Sequence, residues 1–198
     1  MNYARFPVNF IGVSQQYKGS AHWGTDFGWN SNHGGPNVAV YAIADGECAG
    51  IVPNDPDIGN MIVTVHKGLI NGKWVITRYH HLSKMDVKKG DVLKRGQQVG
   101  NMGSTGKQST GPHLHFEFWI CPQNYTYKAA DKSKYAVDPM LYLYAYSGQT
   151  IGVNTKNAMK LPEQPETGVD YKALYDAEVN KNKSAVTALK DALKTLEG

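Results

Sequence analysis

No apolar run in this chain approaches the roughly 18 residues that a helix needs to cross a bilayer, so no membrane span is expected. The N-terminus lacks a basic segment leading into an apolar stretch, and no secretory signal is read there. Cysteine is nearly absent. Cys48 and Cys121 stand far apart and outside any CxxC or knuckle spacing, which predicts two small core residues and no disulfide. There is no internal repeat. The basic residues are scattered without the aromatic-basic motif of a nucleic-acid module, so nucleic acid is not an expected partner.

What the chain does have is material for a β-rich domain. Its 198 residues, 41% of them hydrophobic, accommodate one ordinary domain and an appendage. Twelve tyrosines, four tryptophans and 21 glycines favour strands and turns over a helical bundle. The net charge of +4 is uneven: from Lys156 onward seven lysines meet seven acidic residues, leaving 14 basic against 10 acidic in residues 1–155. A mildly basic domain is drawn to anionic polymers, bacterial cell wall among them.

Short, regularly spaced strand patterns predict a mainly β fold built on an antiparallel sheet. Phe6 to Phe10 reads as a short extended segment. Residues 38–44 read as a strand that turns at Asp45-Gly46 and returns through Glu47 to Val52. Residues 53–60 read as a loop, 61–66 as a strand, 69–72 as a turn and 73–82 as an antiparallel partner. Gly90-Asp91 and Gly96-Gln97 punctuate a short hairpin, and 100–111 form a glycine-rich loop. The expected domain covers residues 1–146. Residues 147–168 read as a linker, and 169–198 as a C-terminal helix with coiled-coil spacing at Val179, Val186 and Leu193 and at Tyr175, Leu189 and Leu196. Self-association and docking on its own domain are both open for that helix.

The stretch Gly111-Pro112-His113-Leu114-His115-Phe116-Glu117-Phe118-Trp119 alternates polar and apolar without a break, the mark of a strand with one wet and one buried face. His113, His115 and Glu117 then share a face while Leu114, Phe116 and Phe118 enter the core. Two imidazoles at that spacing can converge on a metal; the plain alternative is a surface strand with solvated histidines. His22-x-x-x-Asp26 is a weak signal by itself. Combined with His113-x-His115 it offers the imidazoles and carboxylate that hold a catalytic zinc with one position open. In Tyr79-His80-His81-Leu82-Ser83, alternation sends His80 and His81 to opposite faces, so one at most reaches the site.

Together these residues resemble the lysostaphin-type (LytM-like) zinc metallopeptidases, which cleave peptide bonds in bacterial peptidoglycan. The likeness runs in order over roughly residues 17–120. It takes in His22-x-x-x-Asp26, Asp45-Gly46, Tyr79-x-His81-Leu82-Ser83, Gly90-Asp91 through Gly96-Gln97, Gly103-Ser104-Thr105-Gly106, and Ser109-Thr110-Gly111-Pro112-His113-Leu114-His115-Phe116-Glu117. The resemblance implies His22, Asp26 and His115 as zinc ligands, His81 and His113 as catalytic histidines, and an antiparallel sheet whose loop-walled groove holds the metal. It implies a zinc endopeptidase acting on peptidoglycan cross-links or stem peptides, with hydroxide generated near neutral pH and the scissile carbonyl polarised. How His81 and His113 divide the work stays open, as does the bond cleaved.

Other residues read more plainly. Glu117 reads first as a solvated strand residue and second as a partner that fixes an imidazole tautomer. His33 is a groove-wall residue at most, His66 faces solvent at a strand end, and His80 is a neighbour of the catalytic position. Trp23, Phe27 and Trp119 pack, and Tyr79 is a candidate groove lining. The loop at 106–111 is one residue longer than the family's usual form, and the segment around 30–37 is unusual for it. With no export signal, the setting expected is a bacteriophage lysin released through a membrane lesion or a virion tail component, with the C-terminal helix for attachment. The alternative function is a non-catalytic peptidoglycan-binding or tail structural module on the same fold.

Overall fold

Alternating apolar side chains make strands here because a sheet can bury every second residue, and the pattern beginning at His113 becomes a strand at the centre of a large sheet. The structure is a computed structural model that describes residues 4–29, 35–144, 150–153 and 157–160. Its strands are β1 (Ala4–Arg5), β2 (Phe10–Gln15), β3 (Thr25–Phe27), β4 (Ala39–Tyr41), β5 (Gly46–Asp55), β6 (Gly59–Ile70), β7 (Lys73–Leu82) and β8 (Lys84–Met85). There follow β9 (Val92–Leu93), β10 (Gln98–Asn101), β11 (Leu114–Cys121), β12 (Ala136–Val137), β13 (Leu143–Tyr144), β14 (Thr150–Val153) and β15 (Asn157–Lys160). One short α-helix, α1, covers Lys132–Tyr135.

The main sheet runs β15-β14-β2-β3-β11-β7-β6-β5-β9, with β12 also against β11. A smaller sheet has the order β4-β10-β8. Pairing is antiparallel except between β2 and β14 and between β1 and β13. This is the mainly β, antiparallel architecture expected. The C-terminal helix expected at 169–198 lies outside the described residues, as does His33. Within the segment expected to be a linker, β14 and β15 form strands. Among the described residues no helix is long and apolar enough to cross a membrane.

Leu114, Phe116 and Phe118 enter one core with Phe6, Val8, Phe27, Val40, Ile62, Val75 and Leu82. The Phe116 ring lies 6.3 Å from that of Phe27 and 5.1 Å from that of Tyr79. Truncating such a residue to alanine costs about 3–5 kcal/mol, so this packing fixes β11 against β3 and β7. The opposite face of the sheet is also covered. Met61, Val63, Val65, Ile76, Trp119 and Cys121 form a second core beneath Tyr125, Tyr127 and Tyr135. Cys48 and Cys121 are both free and buried.

Several local expectations give way. Residues 38–44 and 46–52 do not form a hairpin: β4 pairs with β10, and β5 with β6 and β9. Asp45-Gly46 is instead a corner between sheets, where Gly46 lies so close to the Val65 carbonyl and the His66 ring that a Cβ has no room. β9 and β10 likewise join different sheets and do not pair with each other. Tyr79 is fully buried and belongs to the core, not to a groove. His66 is 1% exposed, because the face of β6 that it was expected to present to water is covered.

Candidate metal centre

The register of two strands builds most of the site. β3 runs antiparallel to β11 with Asp26 opposite His115. His22 stands four residues earlier, where a turn through Gly19, whose φ of +61° suits a glycine, closes on the backbone bond from Lys18 N–H to the His22 carbonyl. Gly24 between the two polar residues is also required. A Cβ there would sit 2.6 Å from the Phe116 carbonyl and 2.8 Å from His115 Nε2. The outcome is that His22 Nε2, Asp26 Oδ1 and His115 Nδ1 converge. Their separations are 3.2 Å (His22–Asp26), 3.1 Å (His22–His115) and 2.8 Å (His115–Asp26).

The protonation pattern follows from the backbone. His22 Nδ1 is 2.8 Å from the Gln16 carbonyl. A carbonyl only accepts, so Nδ1 carries the proton and Nε2 turns a lone pair toward His115 and Asp26. On the far side of His115, Nε2 faces a carboxylate oxygen of Glu117 at 3.4 Å, again an acceptor. Two imidazole nitrogens and a carboxylate oxygen therefore meet with their acceptor sides inward, an arrangement that repels itself unless a proton or a cation joins it. Two nitrogens and one oxygen are a donor set that suits zinc, so these residues fit the metal. With a proton on His115 Nδ1 in place of a cation, burial pushes the Asp26 carboxyl up, but the hydrogen bond from His115 and the surrounding imidazoles bring it below the usual carboxylate value. Burial likewise lowers His115, and its bonds to Asp26 and Glu117 outweigh that and raise it.

Two further histidines border the cluster. His113 Nδ1 is held by the Gly111 carbonyl at 2.8 Å, and its Nε2 lies 3.8 Å from Asp26 Oδ2. His81 Nδ1 donates to the Thr105 carbonyl at 2.9 Å, and the His81 and His113 rings are 4.7 Å apart between centroids. Burial pushes the His81 imidazole down to about 4, which keeps it neutral at neutral pH.

Simple alternation failed at His80-His81. His81 has a φ of +63°, and across from it the register of β6 and β7 slips between Asn60 and Ile62, so that Met61 opposes both histidines. Such a bulge re-aims side chains. Both imidazoles end near His115, with ring centroids 4.8 Å (His80) and 6.2 Å (His81) from it. They differ in surroundings. His80 is buried with its Nε2 lacking a hydrogen-bond partner, and burial and the nearby Arg78 hold its pKa well below the ordinary value.

Glu117 is not the solvated residue first read from the pattern. It is 1% exposed, and its Oε2 accepts from Arg78 Nη1 at 2.9 Å and Trp119 Nε1 at 2.8 Å. Arg78, directly opposite Glu117 across β7 and β11, was missed in the sequence. The available signal was a charged residue inside an apolar strand, which in a sheet covered on both faces calls for a partner.

Known proteins resemble this chain in sequence and in fold. The sequence model of peptidase family M23 matches residues 20–139. Peptidoglycan DD-endopeptidase ShyB of Vibrio cholerae is 44% identical over 99 residues, covering 50% of this chain and 20% of its own. Glycyl-glycine endopeptidase ALE-1 of Staphylococcus capitis is 34% identical over 182 residues, covering 91% of this chain and 42% of its own. The chain thus spans between a fifth and about two fifths of these relatives' lengths. Among solved structures, a zinc-containing peptidase from Vibrio cholerae aligns at a TM-score of 0.54 and 30% identity, over 71% of this chain and 40% of that one.

Proposed function

The chain belongs to peptidase family M23, and we propose that it is a zinc-dependent endopeptidase hydrolysing peptide bonds in bacterial peptidoglycan. One observation carries the reading: His22 Nε2, Asp26 Oδ1 and His115 Nδ1 lie within 3.2 Å of one another, with the His81 and His113 rings alongside. His22, Asp26 and His115 would hold the zinc. A zinc ion so held is a Lewis acid that polarises a carbonyl and brings the pKa of a water down to about 7.

The protein's own residues supply proton handling. His81 and His113 each have Nδ1–H tied to a backbone carbonyl, so each offers Nε2 as a proton acceptor. The imidazole that takes a proton from the attacking water becomes an N–H donor. It can then stabilise negative charge on the former carbonyl oxygen or deliver the proton to the leaving amine. The Thr105 and Gly111 carbonyls hold the proton on Nδ1 of each ring throughout, so the proton is exchanged at Nε2.

The two named relatives differ in specificity, one a peptidoglycan DD-endopeptidase and the other a glycyl-glycine endopeptidase. The test is digestion of purified walls of both chemotypes, with new amino groups counted and the soluble fragments identified by mass spectrometry. Release of amino groups from either wall, lost in His115→Ala, supports the proposal. Binding to walls without any new amino groups would favour the non-catalytic alternative.

A further inference from the structure

We infer that Glu117, clamped by Arg78 and Trp119, is a positioning residue that decides which nitrogen of His115 is free to ligate. The inference rests on the proposed zinc site and goes one layer behind it. Glu117 Oε2 is saturated by two donors, Arg78 Nη1 and Trp119 Nε1. The guanidinium is itself fixed: its Nε lies 3.2 Å from Met61 Sδ, and its centre 5.5 Å from the centroid of the Trp119 ring. The carboxylate therefore has little freedom to rotate. A buried ion pair alone would need only that oxygen.

The other oxygen, Oε1, is turned toward the metal cluster, 3.4 Å from His115 Nε2, 3.7 Å from His80 Nε2 and 3.8 Å from Lys132 Nζ. An ionised carboxylate can only accept, so it calls for the His115 proton on Nε2 and leaves Nδ1 as the ligating atom. Nδ1 is the nitrogen that faces His22 and Asp26.

This makes a same-size change consequential. In Glu117→Gln the Arg78 and Trp119 donors require the amide oxygen at the Oε2 position. The amide NH2 then faces His115 Nε2 and donates to it. His115 must carry its proton on Nδ1, where it bonds Asp26 and can no longer ligate. An ordinary packing or ion-pair role predicts no such inversion.

The experiment is a zinc titration against a chromophoric chelator on wild type, Glu117→Gln and the double variant Arg78→Met/Glu117→Gln. The double variant removes the buried cation that the single change leaves uncompensated, yet keeps the Trp119 donor that orients the amide. Both variants are expected to bind zinc about 10–100-fold more weakly than wild type. The 15N resonances of zinc-loaded wild type are expected to place the His115 proton on Nε2. Affinities within twofold of wild type in both variants, or a His115 proton on Nδ1 in the loaded wild type, would overturn the inference. A wild type that binds no zinc, or a His115→Ala variant that binds it equally well, would instead remove the underlying site.

Discussion

His22 Nε2 and His115 Nδ1 lie 3.1 Å apart although 93 residues separate them in the chain. The Gln16 carbonyl fixes the first as a lone-pair donor, and the Asp26 carboxylate sits beside both. The folded state thus gathers three ligand atoms that the unfolded chain cannot bring together. Zinc at about 100 times its Kd is expected to stabilise the protein by roughly 2.7 kcal/mol and raise its Tm by roughly 5–10 °C. Calorimetry with and without zinc measures this, and His22→Ala should show almost no shift.

His81 and His113 touch the cluster without supplying its three converging atoms. Alanine at either position should leave zinc binding in place and lower kcat by about 10²–10⁴-fold. Metal content measured beside wall digestion separates this outcome from simple loss of the metal.

Gly24 makes a different kind of contribution. Its φ is not in the left-handed region, so space alone is at issue: an added methyl meets the Phe116 carbonyl and the His115 ring. Gly24→Ala is expected to destabilise the protein by about 1–3 kcal/mol and weaken zinc binding together. Denaturant melts and zinc titration of the same variant check both effects.

His66 ties stability to pH at a distance from the reaction. Burial pushes its imidazole down to about 4 from 6.5, against the raising effect of its bond to the Asp45 carbonyl. Its folded pKa is lower than its unfolded pKa, so the unfolded chain binds the proton first. The full stability is present above pH 6.5 and is lost as pH falls toward 4, by about 3 kcal/mol for this group. His66→Asn should flatten the dependence in that window. An unchanged slope in urea melts would show that other groups govern it.

The period-two pattern at His113 to Phe118 disclosed both the strand and its core face, because Leu114, Phe116 and Phe118 obey alternation. The sites of Glu117 and His66 were not legible. Alternation suggests one wet face, yet both faces are covered: Glu117 lies on the side of the second core, and His66, in step with Ile62 and Thr64, on the side of the first. His80 and His81 misled for a local reason: the bulge and the positive φ of His81 have no marker in a run of ordinary strand residues. The failed hairpin at Asp45-Gly46 reflects pairing with distant strands, which short-range turn signals do not encode.

The central claim is that His22, Asp26 and His115 share one zinc. Equilibrium dialysis followed by metal analysis tests it most directly. Wild type, His81→Ala and His113→Ala are expected to retain about one zinc per chain, and His22→Ala, Asp26→Ala and His115→Ala almost none. Retention of zinc at the wild-type level by those last three variants would contradict the account.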